Sequence, residues 1–100
     1  MGYFIYTDVV LKIGKLPDYT AMMKRLAPFM ARNGWHMVQA LQPVTGDFRK
    51  LVHVWKLDAF ADVERGLHAC AGPEGQEILR PMADLVESEA ISVMASTAYI

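Results

Sequence analysis

The chain has one cysteine, Cys70, so no intrachain disulfide can form, and a reducing, cytoplasmic compartment is expected. An excess of charge of either sign is also missing. With 10 Lys and Arg against 11 Asp and Glu, there is no basic stripe for nucleic-acid phosphates and no polybasic segment for anionic lipid. No apolar run approaches the roughly 20 residues that cross a bilayer. The stretch from Met1 to Lys12 has neither the basic start nor the small-residue cleavage site of a secretory signal. Neither nucleic acid nor membrane is expected as a partner. Gly72-Pro73-Glu74-Gly75 joins helix to helix and puts proline where a phosphate loop needs amide donors. The three histidines, His36, His53 and His68, lack paired ligand spacing. No cofactor and no metal are expected.

What the chain does have is apolar mass. Hydrophobic residues make up 53% before the 7 glycines are counted, above the roughly 45 to 50% usual with glycine included. One domain over residues 1–100 is too short to bury such an excess by itself, so a second copy is expected to cover part of it. Tyr3 to Leu11 is aromatic and β-branched and reads as a strand. Pro17 then opens a helix in which Tyr19, Met22, Met23, Leu26, Phe29 and Met30 recur at helical spacing, with a kink expected at Pro28 inside it and Asn33-Gly34 as its stop. Trp35 to Gln42 and Arg49 to Leu57 form a hairpin across Thr45-Gly46-Asp47. Asp58 is the expected N-cap of a helix through Ala71, with Phe60, Val63, Leu67 and Cys70 as its apolar stripe. Pro81 divides the helical stretch Glu74 to Glu87, and Ala90 to Ala98 closes as a strand.

Strand, helix, strand, strand, helix, strand is an α+β order, the ferredoxin-like split βαβ. It forms a four-stranded antiparallel sheet with helices on one face and the first and third strands in the middle. The third strand is nevertheless apolar on both faces, with Leu51, His53, Trp55 and Leu57 in one phase and Val52 and Val54 in the other. A homodimer with its sheets stacked would cover the second face.

The opening from Tyr3 to Tyr19, with an aromatic strand leading into Leu11-Lys12-x-Gly14 and Leu16-x-x-Tyr19, resembles NIPSNAP-type domains of the dimeric α+β barrel superfamily. Gly34, and Gly46 before Leu51-Val52-His53-Val54-Trp55, are similar to that family's approach to a His-x-Trp strand. Antibiotic-biosynthesis monooxygenase-type domains share the fold. The family's first strand commonly pairs an acidic residue with an arginine, whereas this strand offers only Asp8. The resemblance implies a homodimer with a pocket between sheet and helices, and chemistry such as oxygenation, isomerisation, cyclisation or decarboxylation.

Among candidate site residues, His53 stands in an apolar wall between Leu51 and Trp55. It is either a hydrogen-bonded core histidine or an acid or base whose pKa burial depresses. Asp8, a carboxylate within a central strand, is a possible partner for it. Tyr6 and Tyr19 offer hydroxyls, Met23 and the other helix methionines a deformable lining, Trp55 an aromatic floor, and His36 a polar group at a pocket mouth. These residues suit a hydrophobic or aromatic small molecule, handled by a cofactor-independent enzyme with His53 as acid or base and Asp8 beside it. The rival expectation is a non-enzymatic dimerisation or protein-docking module.

Overall fold

The computed structural model describes residues 2–100. Along the chain lie β1 (Tyr3–Leu11), α1 (Leu16–Ala31), β2 (Trp35–Leu41), β3 (Lys50–Leu57), α2 (Asp62–Ala71), α3 (Pro73–Leu79), α4 (Met82–Leu85) and β4 (Val86–Ala95). The sheet order is β2-β3-β1-β4 with every neighbouring pair antiparallel, the expected α+β ferredoxin-like arrangement. At 39 × 36 × 18 Å the molecule is a two-layer slab.

Side chains alternate across a strand, so Ile5, Thr7, Val9 and Leu11 of β1 and Leu51, His53, Trp55 and Leu57 of β3 form one buried face. α1 covers it. Pro17 occupies its first turn, where a missing N–H costs nothing, and Tyr19, Met22, Leu26, Phe29 and Met30 are its buried stripe. The helix continues through Pro28. Two apolar clusters result. One is built on Ile5, Phe29, Trp35 and Trp55, the other on Val9, Leu11, Tyr19 and Leu51.

Two elements begin elsewhere than expected. α2 starts at Asp62 because Asp58 turns its carboxylate to His36, 3.0 Å from Nε2, and does not cap a helix. The turn is made by Asp62, whose Oδ2 accepts the Ala59 N–H at 2.9 Å. Phe60 therefore falls outside the helix and meets the Tyr3 ring edge-on at 5.1 Å. β4 starts at Val86, four residues before the expected Ala90, because the end of β1 has backbone to pair: Val86 lies opposite Leu11 and Ser88 opposite Val10. Ladder pairing outweighs the helical spacing of those residues. Pro81 does divide the preceding stretch, leaving α3 and the single turn of α4.

One junction ties α2 to the sheet. Gly34 turns the chain into β2 at φ +89°, and a Cβ there would run into the Asp62 carboxylate. The Trp35 indole N–H donates to the Asp62 carbonyl, and its ring occupies the space a side chain at Gly66 would need. Trp35 in turn packs edge-on against Trp55, ring centroids 6.0 Å apart. Gly66→Ala is accordingly expected to destabilise the fold by about 2 kcal/mol despite alanine's better helix propensity, because the methyl must displace the indole. Urea denaturation would show a lower midpoint; an unchanged or higher one would refute the close contact.

Candidate functional site

The β1–β3 register sets Thr7 opposite His53. Both are 5% exposed, and Thr7 Oγ1 lies 3.3 Å from His53 Nδ1. This polar pair sits between the two apolar clusters and completes a row across the inner face: Ala40, His53, Thr7, Ile91. The hydrogen bond fixes the ring plane. Burial pushes the His53 pKa below the ordinary imidazole value of 6.5, which keeps the ring a free base near neutrality.

A cavity of about 280 Å³ lies over this row, between the sheet and the helices. Tyr19 and Met23 of α1, Trp55 of β3, Leu67 and Cys70 of α2, and Ile91 of β4 line it together with His53 and Thr7. It reaches β4, where the helices thin out and Ile91 and Val93 stay half exposed. A second hollow of about 370 Å³, between α1 and β2, shares Tyr19, Met23 and His53 with the first and brings Thr20, Lys24 and Gln42 to the other side of the imidazole. The second hollow depends on a bulge in β2. Met37 pairs with Trp55 and Gln39 with Val54, so Val38 is an extra residue and Ala40 stands beside His53.

Glu89 also lines the cavity, at its solvent-facing rim, and was not among the expected residues. Its apolar surroundings push its carboxyl pKa above the usual 4.5. Among the described residues it has neither an ion pair nor a side-chain hydrogen bond. Burial, and then the charge of Glu89, raise the Tyr19 phenol well above its ordinary range and also raise the Cys70 thiol, so both stay protonated. The sequence signal for Glu89 is the alternation of Glu89, Ile91 and Val93, which a strand expected from Ala90 does not include.

Of the expected residues, the structure brings together His53, Tyr19, Met23 and Trp55 around one cavity. It leaves out Asp8, Tyr6 and His36. Asp8 lies opposite Val52, one register position from His53, and its side chain points to the other face, so the proposed pair does not form. Tyr6, opposite Val54, faces the same open side. His36 is on the open side of β2 with its ring tied to Asp58. Among the described residues, no group of three or more His, Cys, Asp and Glu side chains is placed to hold a metal ion.

No family model matches the chain, and no curated protein matches it. Solved structures do. A NIPSNAP family protein of unknown function from Agrobacterium tumefaciens superimposes with a TM-score of 0.82 at 20% identity, over 99% of this chain and 91% of that one. An uncharacterized NIPSNAP domain protein from Burkholderia xenovorans gives 0.78 at 12% identity, over 98% and 97%. A second Agrobacterium tumefaciens NIPSNAP family protein gives 0.78 at 15% identity, over 99% and 96%. The chain has the fold of a NIPSNAP-like domain.

Because the folded state disfavours protonated His53, the unfolded chain binds more protons between the lowered pKa and 6.5. This contribution to stability is therefore full above 6.5 and is lost on acidification. An NMR titration should place the His53 ring midpoint below 6.5. The stability difference between wild type and His53→Gln should grow with pH up to that value. A midpoint at or above 6.5 would mean that the ring is solvated.

Proposed function

We propose that this NIPSNAP-like domain is a homodimer that binds a hydrophobic or aromatic small molecule in the cavity over His53 and acts on it by proton transfer without a cofactor. The observation that carries this is a single buried imidazole, held by Thr7, at the wall of a mostly apolar cavity with Glu89 at its rim. A neutral ring nitrogen can take a proton from an activated C–H or O–H of the ligand. Tyr19 stays protonated, its ring 6.0 Å from that of His53, and supplies a donor for the oxyanion that forms.

The dimer is supported by the other face of the sheet. Phe4, Tyr6 and Val10 of β1 and Val52 and Val54 of β3 lie there with no helix above them. A second copy laid sheet to sheet would bury them. The same face favours a second reading, a docking module whose purpose is that surface alone.

Two experiments separate these. Native mass spectrometry should show a dimer carrying a discrete small-molecule adduct; a bare dimer would favour the docking module, and a stable monomer would remove the stacked-sheet interface. Val54→Arg should convert the dimer to a folded monomer in sedimentation. With a ligand identified by its mass, His53→Gln should retain binding and lose turnover by about 10²- to 10⁴-fold. Turnover at the wild-type rate would end His53's role as acid or base.

A further inference from the structure

We infer that the ligand class is cationic, an amine on an aromatic or aliphatic body, with its ammonium group paired to the Glu89 carboxylate at the cavity rim. This rests on the cavity being a ligand site and adds the charge its occupant carries. Glu89 lies opposite Val9 and in phase with Ile91, so its side chain leaves β4 on the helix-covered face. Its neighbour in the same strand, Glu87, is satisfied by Arg49 at 2.9 Å, whereas Glu89 has no such partner among the described residues. No Lys or Arg lines the cavity. A carboxylate or phosphate ligand would find no counter-charge there and would meet the charge of Glu89.

The other titratable groups facing this space are Tyr19 from α1, His53 from β3 and Cys70 from α2. All three are neutral near pH 7, for the reasons given above. α3 and α4 add only Leu79 and Met82. Within this cavity the charge is therefore that of Glu89 alone, Lys24 lining the adjoining hollow that shares His53. Glu89 is exposed at the rim and has no cationic partner among the described residues, so an ammonium ion gains an ion pair there that a neutral ligand cannot. Tyr19, Trp35 and Trp55 supply flat apolar walls for the body of the amine. A volume of about 280 Å³ is at the small end of ligand sites, which suits an amine of one ring.

Three probes of one shape test the charge: 2-phenylethylamine, 2-phenylethanol and phenylacetate, titrated into the full chain at pH 7 while the fluorescence of Trp35 and Trp55 is followed. The amine should bind about tenfold more tightly than the alcohol, and phenylacetate most weakly. Glu89→Gln, nearly isosteric and on an exposed strand, should bring the amine to the level of the alcohol and leave the alcohol unchanged. Equal binding of amine and alcohol to the wild type, or an amine preference that survives Glu89→Gln, overturns the inference while keeping the cavity as a ligand site. If none of the three binds, the ligand-site premise fails, and this inference with it.

Discussion

The register of β1 against β3 is the constraint on which the rest of the site depends. Because side chains alternate with a period of two, a shift of one residue would put Asp8 beside His53 and turn Thr7 to the open face. The observed register does the opposite. It gives the imidazole a neutral hydroxyl partner and turns the carboxylate to the opposite face of the sheet, so the ring is oriented without an adjacent negative charge to raise its pKa. An aspartate at that distance would favour imidazolium, which the low-dielectric wall of Trp55 and Leu51 would penalise. The polar layer between the two apolar clusters is thus compatible with a folded core because it is satisfied and uncharged.

A second constraint is that one long helix and three shorter ones do not roof the whole four-stranded sheet. α1 and α2 lie across the β2 side, and β4 keeps its inner residues half exposed. The uncovered margin is where the cavity reaches solvent and where Glu89 stands. Incomplete coverage therefore accounts both for access to His53 and for a carboxylate at the entrance.

Much of this was legible in the sequence. The strand-helix-strand-strand-helix-strand order, the central placement of the first and third strands, the common phase of Leu51, His53, Trp55 and Leu57, and the helical spacing of Tyr19 and Met23 all follow from local periodicity and turn chemistry. What was not legible was long-range pairing. Asp8 was a reasonable partner for His53 until the register was known, because one sequence does not state which residue of a neighbouring strand it faces. Glu89 was missed for a related reason: Val86 to Glu89 have the spacing of a helix end, and only the unpaired backbone of β1 recruits them into the sheet. Asp58 has the composition of an N-cap and yet serves His36, because the chain spends four more residues reaching the position where Gly34 and Gly66 admit Asp62 and Trp35.

The bulge at Val38 has a bearing on how such a domain can diversify. By absorbing one residue it places Ala40 beside the imidazole, where regular pairing would have set Gln39. An insertion or deletion at one edge of the sheet therefore chooses the size and polarity of the group next to the central histidine while every residue of the central strands stays the same. Two chains with identical β1 and β3 could differ in what they admit to His53 solely through the length of a hairpin arm.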